Sequence, residues 1–215
     1  MPTPLEHPAV RRVVEAASRK GVTLDVVAFD ESTHTATEAA AAVGAELGQI
    51  VKSLVFVAPD AEGGLEPFVC LVSGPNRVDL ARLAAVLGRP DIRRATAREA
   101  HELTGFTIGG IPPIGHARRL RVVMDPDLGR FATVWAAAGL PTVVFPVAPG
   151  TLRMLADAHV APIAETPATE APSDVSAAPA DRPSATDGDR MPLAPAGGTG
   201  AGSGADPIGA VAEGA

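Results

Sequence analysis

The sequence predicts a mixed α/β fold, built as a layered sheet or a barrel, with a separate C-terminal tail. Apolar stretches of helical period are mixed with alternating stretches typical of strands, and two of these strands follow each other as a hairpin. Strand and helix do not alternate regularly, and no repeat of fixed length occurs. This irregular order argues against a doubly wound parallel sheet.

The helices are predicted from apolar faces that end at a glycine. The first helix presents Val10, Val13 and Ala17 and stops at Gly21. Further helices follow the N-caps Thr35, Asp79 and Thr96; Thr35 with Glu38 and Thr96 with Glu99 have capping-box spacing, and these helices end at Gly44, Gly88 and Gly105. A last helix is expected near 151–158.

The strands are predicted where apolar and β-branched residues alternate between turn signals. The expected strands are 23–29, 51–57, 67–73, 120–124, 131–135 and 142–147, with a short extension at 160–163. The segment 60–64, Asp-Ala-Glu-Gly-Gly, is a hairpin turn between the second and third strands.

The last fifty residues differ in composition from the rest of the chain. From about residue 166 the sequence is Pro, Ala, Gly, Ser, Thr and Asp with few bulky apolar residues, which cannot bury enough surface to fold. We therefore expect a folded domain at 1–164 and a disordered, acidic tail at 165–215. The tail has a net charge of -6 out of the chain's -7, so the folded part is nearly neutral and is not a basic domain that coats nucleic acid.

Lys52 is the most informative single residue. The 18 Lys+Arg positions include only two lysines, Lys20 and Lys52, and Lys52 lies in the strand-like run 51–57. A compact ammonium is not interchangeable with a planar guanidinium, so Lys52 is interpreted as a residue required for chemistry. The alternative is a lysine that extends from the strand end into water.

The loop 109–115, Gly-Gly-Ile-Pro-Pro-Ile-Gly, is the second informative feature. Glycine lets a ligand approach the main chain, and Pro112 with Pro113 holds the loop extended. The N–H groups of Gly109, Gly110 and Ile111 could then face a carbonyl or phosphate oxygen. The alternative is a rigid turn between two elements.

Several polar residues near these two features are further candidates. His116 could donate a proton, although a lone histidine is more often structural. Arg118, Arg119 and Arg121 would suit phosphates or, equally, a solvated strand edge. Hydroxyl groups are offered by Thr33, Thr35 and Thr37, of which capping accounts for at least one.

The sequence lacks the motifs that are typical of several other classes of enzyme. The single cysteine, Cys70, lies in an apolar strand, so a disulfide within the chain is excluded and a thiolate metal cluster is not expected. The chain has no Gly-x-Ser-x-Gly elbow and no His-Glu-x-x-His motif. We expect no metal and no cofactor. The N-terminus resembles no secretion signal and no stretch is long enough to cross a membrane, so a cytoplasmic protein with no membrane partner is expected.

Four motifs in order resemble the YbaK/EbsC family of aminoacyl-tRNA deacylases, which are related to the editing domain of prolyl-tRNA synthetases. These motifs are Thr-Ala-Thr-Glu-Ala-Ala at 35–40, Leu-Gly-Gln-Ile-Val-Lys-Ser-Leu-Val-Phe at 47–56, Thr-Gly-Phe at 104–106 with the loop 109–115, and Val-Trp-Ala-Ala-Ala-Gly at 134–139. The resemblance covers about residues 5–164. It implies a mixed, barrel-like sheet surrounded by helices and a freestanding enzyme that hydrolyses the ester of mischarged tRNA.

The resemblance also implies roles for individual residues. Lys52 would contact the terminal adenosine of the tRNA or its phosphate, and the amide of Gly109 or Gly110 would bind the ester carbonyl. Water or a ribose hydroxyl would complete the attack without a metal. The other residues expected at the substrate are Thr35, Thr37, Ile111, Pro112, Pro113, Gly115, His116 and Thr142, with Arg118 and Arg119 as weaker phosphate contacts. A synthetase or an elongation factor is a further possible partner.

Departures from the family pattern bear on the substrate. Members that act on cysteinyl-tRNA typically carry Ser where this chain has Pro112, and a Ser and an Asp later, where this chain has Ala136, Ala137 and Thr142. A small amino acid other than cysteine is therefore expected. The alternative function is a module that binds the aminoacyl end of tRNA, a nucleotide-like ligand or a synthetase without turnover.

Overall fold

The computed structural model describes residues 3–29 and 35–165, which lie in one compact unit. Its helices are α1 (Pro8–Ser18), α2 (Ala36–Val43), α3 (Leu80–Leu87), α4 (Ala97–Thr104) and α5 (Pro149–Ala156). Its strands are β1 (Val27–Ala28), β2 (Val51–Pro59), β3 (Leu65–Ser73), β4 (Arg93–Arg94), β5 (Arg121–Met124), β6 (Val134–Ala137), β7 (Val143–Val147) and β8 (His159–Val160). The predicted tail lies outside the described residues.

The strands form two sheets. One sheet has the order β1-β7-β6 and is antiparallel, and the other has the order β4-β2-β3-β5-β8 with parallel β3–β5 and β5–β8 pairs. The predicted mixed α/β class is thus confirmed. A bridge between Ile50 and Trp135 brings the start of β2 next to β6. Within the described residues the two sheets do not close into a barrel, which corrects that part of the expectation.

Strand β2 is held by apolar contacts on both faces. Val51 and Val55 belong to a core cluster that includes α1, β6 and β7, whereas Phe56 and Ala58 belong to a second cluster that includes α3. Side chains alternate across a strand, so consecutive residues of β2 face different cores. The side chain of Lys52 is therefore carried by one of the most firmly packed strands of the protein.

The helix starts follow the predicted capping chemistry. Thr35 Oγ1 accepts a hydrogen bond from the amide of Glu38 (3.2 Å), and the Glu38 carboxylate accepts one from the amide of Thr35 (3.2 Å). Thr96 and Glu99 form the same reciprocal pair at the start of α4. Each cap contributes roughly 1 kcal/mol to helix stability. The first pair fixes where α2 begins, beside the cavity described next.

None of the described helices has the length and apolarity that crossing a membrane would require.

Candidate active site

A cavity of about 230 Å³ lies where α2, β2, the loop 108–111 and the β6–β7 sheet meet. Most of its wall is apolar, and its polar wall residues are few. The lining residues are Thr35, Ala36, Ala39, Val43, Ile50, Val51, Lys52, Ser53, Leu54, Val55, Arg94, Ala95, Ala100, Ile108, Gly109, Ile111, Trp135, Ala137, Pro141 and Val144. An apolar pocket with a few converging polar groups is the usual form of a small-ligand site.

Lys52 and Gly109 line this cavity together, as the sequence led us to expect. Lys52 is half-buried, and its Nζ donates a hydrogen bond to the backbone carbonyl of Asn76 (2.5 Å). Among the described residues no carboxylate forms an ion pair with it. Burial lowers the pKa of Lys52 below the ordinary lysine value, and the nearby charges of Arg94 and Arg77 lower it further.

Gly109 and Gly110 are each required in the loop for a different structural reason. Gly109 has φ +90°, a left-handed conformation that side chains other than hydrogen disfavour. A Cβ added at Gly110 would lie 2.7 Å from the backbone of Leu140, so this glycine allows two backbone segments to approach each other. Both glycines are thus required for the shape of the loop.

The amide of Gly110 is not available to a ligand, because it donates a hydrogen bond to the carbonyl of Thr107 (3.1 Å). This corrects the expectation that three consecutive amides face the site. Within 3–29 and 35–165, the amides of Gly109 and Ile111 donate to no other residue, and both residues line the cavity. Of the three loop amides, those of Gly109 and Ile111 are therefore the two that have no hydrogen-bond partner in the described chain.

Of the two threonines predicted at the start of α2, only one lines the cavity. Thr35 lines the cavity, although its hydroxyl already caps the helix. Thr37, two residues after Thr35 and inside α2, is exposed and is not part of the lining. Thr142 also lies outside the lining; its carbonyl accepts a hydrogen bond from the amide of Phe29 (2.8 Å), which joins β1 to β7.

The second half of the loop faces a different cavity. Pro113, Gly115, His116, Arg118 and Arg119 line a space of about 530 Å³ between the end of α1 and the end of α5. Pro112 is buried and lines neither space. The structure therefore does not bring these predicted substrate residues beside Lys52, because the loop passes from one cavity to the other.

His116 has a structural environment. Its Nε2 donates a hydrogen bond to the Pro112 carbonyl (2.8 Å), and its ring meets the edge of Phe106 with centroids 6.1 Å apart. Burial lowers the pKa of His116 to about 4, the hydrogen bond to Pro112 opposes this, and the charge of Arg12 adds to the lowering. The imidazole is thus neutral near pH 7, which does not suit the predicted role of proton donor.

The two predicted phosphate-binding arginines already have partners. Arg119 forms an ion pair with Asp157 (2.7 Å), and Arg118 donates to the carbonyl of Leu65 (3.3 Å). Both side chains are exposed.

Three polar or aromatic wall residues were missed by sequence reasoning. Arg94 belongs to the two-residue strand β4, which is too short to show a period. Ser53 follows Lys52, and its Oγ is buried without a hydrogen-bond partner among the described residues. Trp135 was quoted only as part of a motif, and its bridge to Ile50 could not be read from local sequence.

No group of three or more His, Cys, Asp or Glu side chains in the described part of the chain is arranged to hold a metal ion.

Comparison with known proteins identifies the fold and the family. Residues 30–155, more than half of the chain, match the model of the aminoacyl-tRNA editing domain. The chain belongs to this family. The editing domain is 34% identical to YwhH of Bacillus subtilis (strain 168) over 115 residues, which cover 54% of this chain and 70% of YwhH.

Two further relatives support the assignment of this editing domain. ProXp-y of Escherichia coli (strain K12), named a multifunctional Ser/Thr-tRNA deacylase, is 31% identical over 135 residues, which cover 60% of this chain and 77% of ProXp-y. The crystal structure of a proposed trans-editing enzyme for prolyl-tRNA synthetase superposes with a TM-score of 0.68 at 47% identity, covering 74% of this chain and 99% of that one. The sequence-based recognition of an editing protein is confirmed.

Proposed function

We propose that this protein is a freestanding trans-editing deacylase, which hydrolyses the ester between a small amino acid and the 3′-terminal adenosine of a mischarged tRNA. The observation that carries the proposal is that Lys52 and Gly109 line one small, largely apolar cavity. Membership of the aminoacyl-tRNA editing family supports the same substrate class. Such a substrate would place the enzyme in the cytoplasm.

The cavity suits an aminoacyl group better than a whole nucleotide. Its volume of about 230 Å³ is below the range of roughly 300–1,000 Å³ of pockets that enclose drug-sized ligands. Small side chains form much of the wall, including Ala36, Ala39 and Ala137. We infer that the aminoacyl group enters the cavity and that the nucleoside remains at its mouth.

The chemistry is ester hydrolysis by water. A water molecule attacks the carbonyl carbon, the carbonyl oxygen becomes an oxyanion, and the bond to the ribose oxygen breaks while that oxygen takes a proton. The amides of Gly109 and Ile111 would stabilise the oxyanion, since preorganised donors in a partly dry site are worth several kcal/mol to a transition state, about 2.7–4 for a single donor. The ammonium of Lys52 would hold the substrate by its charge near the ester.

The test is a panel of tRNAs charged with small amino acids, incubated with the wild type and with Lys52→Met. The substitution keeps most of the stem and removes the charge, so kcat/KM is expected to fall about 100-fold or more. Lys20→Met is the matched control, because Lys20, the other lysine, donates to the carbonyls of Met154 and Leu155 at the second cavity. Equal rates for wild type and Lys52→Met, or no hydrolysis of any member of the panel, would contradict the proposal.

The domain boundaries follow from the same proposal. We infer that 1–164 forms the deacylase domain and that catalysis does not require 165–215. The composition of the tail supports this division.

A further inference from the structure

The second cavity carries an excess of positive charge. It occupies about 530 Å³ between the ends of α1 and α5, on the far side of the loop 109–115. Four cationic side chains line it, while Asp157 is the one carboxylate among the lining residues that the structure describes. The four cations are Arg19, Lys20, Arg118 and Arg119. The folded part of the chain is nearly neutral, so this excess is local, and a local excess of one sign attracts ions of the other.

Arg19 and Arg118 keep their charge available to a ligand. Neither residue forms an ion pair within 3–29 and 35–165. Arg118 donates to the neutral carbonyl of Leu65 (3.3 Å), and one such bond leaves most of the five N–H groups of a guanidinium unused. Arg119 differs, because the carboxylate of Asp157 lies 2.7 Å from it. Two of the four cations are therefore guanidinium groups that no described carboxylate compensates.

Lys20 balances the negative end of α5. Its Nζ donates hydrogen bonds to the carbonyls of Met154 (3.2 Å) and Leu155 (2.8 Å) in the last turn of that helix. The C-terminal end of a helix carries a partial negative charge, which would otherwise oppose an anion in this cavity. Because Lys20 balances that charge, the end of α5 does not offset the field of the two arginines.

The rest of the wall offers a hydrogen-bond acceptor and apolar surface. Nε2 of His116 donates to the carbonyl of Pro112, so Nδ1 of the neutral ring is an acceptor, and no described residue donates to it. The apolar residues Ile114, Leu120 and Leu155 line the same cavity. The cavity therefore suits a ligand that combines an anionic group, a hydroxyl group and an apolar part.

We propose that the second cavity binds a small phosphate-bearing molecule of the size of a mononucleotide, at a site separate from the cavity that Lys52 lines. The guanidinium groups of Arg19 and Arg118 bind the phosphate group, because a guanidinium donates two parallel hydrogen bonds to such oxygens. A hydroxyl group of the ligand donates to Nδ1 of His116. The volume of about 530 Å³ lies within the range of roughly 300–1,000 Å³ of pockets that enclose drug-sized ligands, whereas the first cavity is smaller.

A free molecule suits this cavity better than the backbone of a nucleic acid. The backbone is bound mainly by charged and polar side chains and by backbone amides, which contact its phosphates and sugars. Here the cations share one concave space with apolar residues, and an apolar wall binds the body of a ligand that enters the cavity.

The experiment uses 5′-AMP as the probe and adenosine as the matched molecule without a phosphate. Binding to the full chain is followed by two-dimensional ¹H–¹⁵N NMR. In the wild type, 5′-AMP should shift the amide signals of Gly115 and Leu120, which line the second cavity, and should bind about tenfold or more tightly than adenosine. Arg19→Gln and Arg118→Gln should each raise the Kd for 5′-AMP about tenfold, the value of one hydrogen bond between charged groups.

Two control variants separate this site from the rest of the surface. Arg98→Gln should bind 5′-AMP like the wild type, since Arg98 is exposed on α4 and pairs with Glu102. Lys52→Met removes the lysine of the first cavity, and the shifts at Gly115 and Leu120 should keep the wild-type Kd. None of these measurements uses ester hydrolysis, so their outcome does not depend on the proposed function.

Four results would overturn the inference. The first three are shifts confined to the first cavity, at Gly109 and Ala137; equal Kd values for 5′-AMP and adenosine; and a wild-type Kd in both arginine variants. The fourth comes from an RNA oligonucleotide without a terminal phosphate. If it shifts Gly115 and Leu120, binds more tightly than 5′-AMP and depends on both arginines, the cavity binds a polynucleotide backbone and not a small molecule.

Discussion

Gly110→Ala should damage both the stability and the activity of the protein, because the space at Gly110 is occupied by the main chain of another segment. The added Cβ would lie 2.7 Å from the carbonyl carbon and Cα of Leu140 and 2.9 Å from its nitrogen. A side chain could rotate away from such a contact, but backbone atoms cannot. The loop and the segment at Leu140 must therefore move apart.

The size of the effect follows from the cost of overpacking, about 1–3 kcal/mol. For a domain of this size each kcal/mol lowers Tm by about 2–4 °C, so a fall of about 2–12 °C is expected. The same shift displaces the amides of Gly109 and Ile111, and a displacement of about 1 Å in a positioning group lowers rates about 100-fold.

Thermal unfolding followed by circular dichroism and deacylation kinetics measure the two effects. Gly150→Ala is the matched control: it lies in α5, and a Cβ there would meet no atom within 4 Å, so Tm should stay the same or rise. A Gly110→Ala protein that melts and hydrolyses esters like the wild type would refute the reasoning from close backbone contact.

Three other predictions concern pH, hydroxyl groups and the tail. Because the pKa of His116 is lowered to about 4 in the folded protein, the unfolded chain takes up a proton first as pH falls from 6.5. The contribution of neutral His116 to the free energy of unfolding is therefore fully present above pH 6.5, and that free energy should decline by up to about 3 kcal/mol towards pH 4. Denaturant titrations across this range should show a weaker decline in His116→Gln. Ser53→Ala should leave Tm unchanged or raise it, because the buried Oγ of Ser53 has no hydrogen-bond partner in the described chain. Ser73→Ala removes a buried hydrogen bond to the Gly48 carbonyl and should lower the stability by about 1–3 kcal/mol. Equal changes in Tm for the two variants would contradict this comparison. Deleting the residues after Glu165 should leave Tm and kcat/KM nearly unchanged, and a large loss of either would show that the tail packs on the domain.

Local patterns predicted much of the fold. Helical period, glycine ends and capping boxes located the five helices, and alternation located the long strands β2 and β3, because these signals depend on residues near one another in the chain. The two-residue strand β4 escaped prediction, and β8 was expected only as a short extension at 160–163, since both strands exist only through pairing with β2 and β5. Whether the strands close into a barrel also depends on pairings between distant segments. Local sequence does not show these pairings, so the expected barrel was wrong and the structure has two sheets.

The candidate site was predictable in part for the same reason. Lys52 and Gly109 stood out by residue type, and the structure brings both to one cavity. The direction of the second half of the loop could not be read from sequence, because it depends on a distant contact: a Cβ at Gly115 would lie 3.2 Å from the carbonyl oxygen of Arg12 in α1. Gly115 and His116 both line the second cavity. Arg94 and Ser53 carried no local signal of their own.

The two walls of the first cavity pack against hydrophobic clusters of different size, and this difference limits which wall residues can be exchanged. The apolar residues of the β2 wall are shared by the two main cores, so exchanging one of them disturbs both cores. The opposite wall, α2, packs through a small cluster of Ala39, Ala40 and Ile50. Over evolution, new substrate preferences would therefore arise by exchanging alanines of α2, while the lysine-bearing wall is inherited unchanged.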